Sequence, residues 1–159
     1  MDKIVYVKVL ADSLQKKASA LESILHITKT QEELLQEQDF DEECFLETVT
    51  RKQVYIDQIT EFDRGFEAVY HRVKQELDTG RAQYAEDIAN MQRLIANITE
   101  LGMNIEALEK RNKVRMDKVL EERKQQVRGM RRNNSVASNY YKSMLNQKYN
   151  QSYFLDKKK

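Results

Sequence analysis

Apolar side chains recur along this chain in steps of three and four, the spacing that places them on one face of an α-helix. The first stripe reads Val7, Leu10, Leu14, Ala18, Leu21, Leu25 and Thr28, then Leu34 and Leu35, and Ile4, Val5, Val9, Ile24 and Ile27 widen it. It predicts a helix over about residues 2–37, with a face wide enough to meet more than one neighbour. The polar run Gln38-Asp39-Phe40-Asp41-Glu42-Glu43 reads as a turn, with Asp39 or Asp41 capping the next helix. The second stripe is Phe45, Val49, Ile56, Ile59, Phe62, Phe66, Tyr70, Val73 and Leu77, which predicts a helix over about 43–77. Lys52 interrupts it, so loose packing is expected there. Gly65 falls mid-helix at a cost of ~1 kcal/mol relative to Ala, and suggests a bulky neighbour or a bend.

Asp78-Thr79-Gly80 is the clearest break, with Gly80 suited to the left-handed position after a helix end. The third stripe, Tyr84, Ile88, Met91, Ile95, Ile98, Leu101, Ile105 and Leu108, continues through Met116, Val119 and Val127. It predicts a helix over about 81–128, roughly 70 Å long at ~1.5 Å per residue, which would overhang the other two. The stripe thins after Leu108, where Asn112 and Arg123 take positions that an aliphatic residue would fill. The second half of this helix is therefore expected to be exposed or to await a partner.

These elements predict an all-α fold: an elongated antiparallel three-helix bundle or coiled coil over 1–132, with a long third helix. Residues 133–159 form a basic, tyrosine-containing tail that can bury little and is expected to be mobile. Within it, Val136, Tyr140 and Met144 share one helical face.

Composition agrees. Charged residues make up 33 % of the chain and there is no proline, which leaves helices uninterrupted. The single cysteine, Cys44, excludes an internal disulfide and is expected to be a buried or half-buried helix residue. No apolar run approaches the ~20 residues of a membrane span and the start does not read as a signal peptide, so a cytoplasmic protein is expected.

Charge changes the picture more. Residues 110–159 hold 15 bases against 4 acids, a net of +11, while residues 1–109 hold 12 bases against 22 acids, a net of −10. A basic helix followed by tyrosines is one route to nucleic-acid binding. However, Asp117, Glu121 and Glu122 interleave with the bases, and an acidic bundle would repel phosphate. Pairing with the acidic front of the chain, or with an acidic protein, fits at least as well. Catalytic and metal chemistry find no motif. The glycines stand far apart, and Glu22/His26 and Glu67/His71 have the spacing of ordinary surface pairs rather than of a di-iron helix. The acidic cluster around Asp39–Glu47 lacks the EF-hand glycine. No cofactor, no metal and no enzymatic activity are expected; the search moves to binding surfaces.

The stretch Phe45-Leu46-Glu47-Thr48-Val49-Thr50-Arg51-Lys52-Gln53-Val54-Tyr55-Ile56-Asp57-Gln58-Ile59, the stretch Tyr84-Ala85-Glu86-Asp87-Ile88-Ala89-Asn90-Met91-Gln92 and the ending Tyr140-Tyr141-Lys142-Ser143-Met144 resemble the FlgN-type flagellar export chaperones, including those of Gram-positive bacteria. The likeness spans most of the chain and leaves the FlgN and FliT types undivided. It implies a cytoplasmic type III export chaperone. Such a chaperone binds the C-terminal helical region of hook-associated (hook–filament junction) proteins, or of the filament cap protein. It prevents their premature self-association and delivers them to the export gate and its ATPase. A helix-in-groove mode would suit that task. Ile105, Leu108, Met116, Val119, Leu120, Val127 and Met130 are the candidate client-binding face, and Tyr140 and Tyr141 the candidate gate-docking pair. Packing of that face within the bundle, or in a homodimer, is the alternative. The competing functions are a homodimeric coiled-coil scaffold and, less favoured, a nucleic-acid binder.

Overall fold

The computed structural model describes residues 3–124, with side chains from Val5 onward. Three helices succeed one another: α1 (Lys3–Gln36), α2 (Glu42–Thr79) and α3 (Ala85–Glu122). They contain 34, 38 and 38 residues, so all three are close to 50–60 Å long at ~1.5 Å per residue. No strand occurs among the described residues.

α1 is the central element. It packs along both α2 and α3, whereas α2 and α3 approach each other at few backbone positions. The wide apolar face of α1 has this cause: one side of it meets α2 and the other meets α3. Lys17 pairs with Asp63 and Gln31 with Thr48, so α1 and α2 run antiparallel. Thr28 meets Glu109 and Asn112, Glu32 meets Arg111 and Arg115, and Leu35 clusters with Met116, so α3 runs parallel to α1.

The inward residues keep steps of three and four, except where half-buried Phe62 on α2 and Leu101 on α3 fill a step of seven. On α1 they are Val7, Leu10, Leu14, Lys17, Leu21, Ile24, Thr28, Gln31 and Leu35; on α2, Phe45, Val49, Lys52, Ile56, Ile59, Phe66, Tyr70, Val73 and Leu77. On α3 they are Met91, Ile95, Ile98, Ile105, Glu109, Asn112 and Met116. This is the knobs-into-holes spacing of a coiled coil, with polar residues taking core positions on every helix.

The α1–α2 turn is set by Asp41. Its backbone is extended (φ −91°, ψ 99°) and its carboxylate Oδ1 accepts the Cys44 N–H at 3.1 Å, while Glu42 and Glu43 fill the first turn of α2. That hydrogen bond holds the Asp41 carboxyl below its ordinary range. Cys44 is exposed, contrary to expectation, because it lies just past the cap on the solvent side of α2. Asp41 beside it raises the thiol above its ordinary range, which disfavours the reactive thiolate.

The second turn is closed by Gly80, though not in the left-handed conformation expected: its φ is −103°. A Cβ there would lie 3.0 Å from the Glu76 carbonyl oxygen and 3.3 Å from the Tyr84 ring. The requirement is space for Tyr84, which is buried over the turn. Residues 81–84 continue this turn, and α3 starts at Ala85.

Gly65 lacks the bulky neighbour that its position suggested: a Cβ would meet nothing within 4 Å. Gly65→Ala should therefore stabilise the protein by about 0.5–1 kcal/mol through helix propensity alone. A urea titration that shows no gain, or a loss, would count against this placement.

Candidate functional site

The core is divided. One apolar cluster fills most of the bundle, from Val7 and Leu77 at one end to Ile24, Ile56 and Ile105. A second, much smaller cluster lies at the α1–α2 turn: Leu35, Phe40, Phe45, Val49 and Met116, with Leu34, Val119 and Leu120 partly buried against it. The Phe40 and Phe45 rings meet at 5.6 Å.

A polar layer separates the two clusters. Lys52, Thr28, Gln31, Thr48, Glu109 and Asn112 are all buried, and together they come from all three helices. Lys52 Nζ donates to Gln31 Oε1 at 2.5 Å and to Glu109 Oε1. Gln31 Nε2 donates to the Thr48 hydroxyl at 3.1 Å, and that hydroxyl donates in turn to the Phe45 carbonyl. The Thr28 hydroxyl lies 2.6 Å from the Ile24 carbonyl and 3.3 Å from Glu109 Oε1. Asn112 Nδ2 donates to the Thr28 carbonyl at 3.1 Å. Two acceptors in the layer, Glu109 Oε2 and Asn112 Oδ1, are buried and accept no hydrogen bond.

Lys52 was expected to mark loose packing, and Asn112 to mark exposure. Both expectations are corrected. Lys52 is completely buried because Glu109 and Gln31 arrive from the other two helices to meet its ammonium. Arg123 is corrected too: it donates to the Phe40 carbonyl at 2.9 Å and its guanidinium lies over the Phe40 ring, 5.6 Å from the centroid.

A second buried ion pair, Lys17–Asp63 at 2.6 Å, joins α1 to α2 within the large cluster. Burial dominates both of its partners, lowering the Lys17 pKa and raising that of Asp63 against their mutual attraction. Burial likewise pushes Lys52 from 10.5 down to about 8, against the pull of Glu109. Where the unfolded chain still holds a proton on lysine and the folded chain has lost it, raising the pH favours folding. Stability contributed by Lys52 should therefore rise between about pH 8 and 10.5, and Lys17 acts in the same direction. Urea midpoints for the native chain and Lys52→Met across that range test this: the native chain gains relative to the variant, and parallel curves would refute it.

The sequence's charge split is partly closed by folding. Glu32 of α1 lies 3.6 Å from both Arg111 and Arg115 of α3, so the basic half of α3 lies against an acidic part of α1. His71 and Glu67 form an exposed pair at 3.7 Å. Among the described residues no group of three or more His, Cys, Asp or Glu side chains could hold a metal, and no helix is long and apolar enough to cross a membrane.

Of the candidate client face, Ile105, Leu108 and Met116 are buried within the bundle, and Val119 and Leu120 are half-buried at its small cluster. Val127, Met130, Tyr140 and Tyr141 lie outside the described residues. The helix expected to run unbroken to about residue 128 ends instead at Glu122, with Arg123 as its C-cap, where that side chain turns to the Phe40 carbonyl. Sequence reasoning missed Gln31, Thr48 and Glu109. The available signal was their spacing of three or four from Thr28, Lys52 and Asn112 respectively, obscured because polar residues at stripe positions were read as interruptions.

In comparisons with known proteins, the family model described as FlgN protein matches residues 1–147. No curated protein and no solved structure matches the chain.

Proposed function

Because the chain belongs to the FlgN protein family, a family of flagellar export chaperones, we propose that it holds the C-terminal helical region of hook-associated proteins before their export. The client helix docks at the end of the bundle that carries the α1–α2 turn. The observation that carries this is the small cluster there, cut off from the main core, whose Leu34, Val119 and Leu120 are only partly covered. An amphipathic client helix that lays its apolar stripe on these residues is kept from self-association. Val127 and Met130, outside the described residues, are assigned to the same client contact, and Tyr140 and Tyr141 to the later contact with the export gate.

Isothermal titration with the C-terminal segments of the hook-associated proteins tests the reading. Val119→Asp with Leu120→Asp should weaken binding at least tenfold while the helical circular dichroism signal persists. Unchanged affinity in a folded double variant would place the client elsewhere. Deletion of residues 133–159 should spare client binding and impair secretion; intact secretion would remove the gate-docking role.

A further inference from the structure

The polar layer bears on how a partner enters the bundle and on what that partner must carry. On one side of the layer lies a large apolar cluster fed by all three helices over most of their length. On the other lie five buried apolar side chains, two of them the Phe40–Phe45 pair. Between them, three helices are joined by hydrogen bonds rather than by interlocked aliphatic groups, and α2 reaches α3 through the long side chains of Lys52 and Glu109. Their backbones stay apart over most of their length. Buried polar contacts can be exchanged for water as the helices part, whereas a continuous aliphatic seam offers no such step. The small cluster is thus the part of the bundle that opens at least cost. Leu35, Phe40, Phe45, Val49 and Met116 form the surface such opening uncovers.

The layer also lacks two donors. Glu109 Oε2 and Asn112 Oδ1 are acceptors three residues apart on α3, buried and without a hydrogen bond. An unsatisfied buried acceptor is costly, and a carboxylate oxygen more so. A partner whose apolar stripe is interrupted by one donor, such as arginine or glutamine, complements them. A partner with an uninterrupted aliphatic stripe leaves them unsatisfied.

We propose that the bundle opens locally at the Lys52–Glu109 layer, and that the uncovered cluster receives an amphipathic helix carrying one hydrogen-bond donor in its apolar stripe for Glu109 and Asn112. This rests on the reading of that end as the docking surface, and adds the mode of entry and the chemistry of the occupant.

Two measurements test it, both on the full chain. The first needs no partner. In native-state hydrogen exchange, backbone amides of residues 31–49 and 112–120 should exchange at least tenfold faster than those of residues 10–24 and 56–73. In the variant carrying Gln31→Leu, Lys52→Met and Glu109→Met, the two sets should converge. Uniform protection in the native chain overturns local opening. The second uses fluorescence anisotropy with two designed amphipathic helical peptides, alike except that one central stripe position is Arg in one and Leu in the other. The Arg peptide should bind at least tenfold more tightly, and the preference should vanish in Lys52→Met/Glu109→Met. Equal binding of the two peptides overturns the donor requirement while leaving helix capture intact. If neither peptide binds although the hook-associated segments do, the small cluster is not the docking surface, and the proposal falls while the chaperone reading stands.

Discussion

Lys52→Met should lower the free energy of unfolding by about 3–5 kcal/mol, the cost of breaking a buried pair from one side. Methionine matches lysine in length and leaves no large cavity, so packing is not what is lost. What is lost is the donor to Glu109 and Gln31, which leaves a buried carboxylate and a buried amide oxygen facing apolar surroundings. Adding Glu109→Met should restore most of the stability, since replacing both charges of a buried pair by apolar groups is often neutral or favourable. Urea denaturation of the two single variants and the double variant closes the cycle. Additive losses would mean that the two side chains do not share one interaction, and would remove the polar layer as a unit. The restored double variant also tests why the layer exists. If it is more stable but binds its client poorly, the layer serves specificity or opening rather than folding.

Ile105→Ala should cost about 2–5 kcal/mol, the range for removing a large aliphatic side chain from a packed interior. Ile105 is completely buried at the boundary of the large cluster, one turn before Glu109. Val114→Ala, in the same helix, provides the contrast: Val114 is 69 % exposed, so its truncation should change stability by less than about 0.5 kcal/mol. Chemical denaturation reads both. A small loss for Ile105→Ala would mean that its surroundings collapse or that the bundle is open at this level. The result also governs the binding experiments. Ile105, Leu108 and Met116 belong to the chain's own interior when it is closed, so their substitution weakens the scaffold before it weakens a client contact. Val119 and Leu120, half-covered, are the better probes.

Which parts of this were legible in the sequence depends on the distance over which each is decided. The three helices come from local periodicity, the absence of proline and the two polar turns. Asp41 as a cap needs only its own carboxylate and the N–H three residues on. The breadth of the α1 stripe already indicated two neighbours, and the central place of α1 is its direct result. The likeness carried by the Phe45–Ile59 stretch has the same origin: its inward face is Phe45, Thr48, Val49, Lys52, Ile56 and Ile59.

The sequence alone therefore determined the all-α bundle, its turns and its family. Each of these is written in spacing and residue type over short stretches of chain. The site was decided by tertiary structure. A lysine within an apolar stripe reads as a defect until the residue that neutralises it is known, and for Lys52 that residue stands 57 positions away. Thr28 and Asn112 meet across 84 positions. No local rule fixes such pairings, because they depend on which helix lies beside which and in what direction. The sign of the charge along the chain was plain from the start. That its basic half lies against Glu32, and that a polar layer sets off the end of the bundle, came only from the packing of α3 parallel to α1.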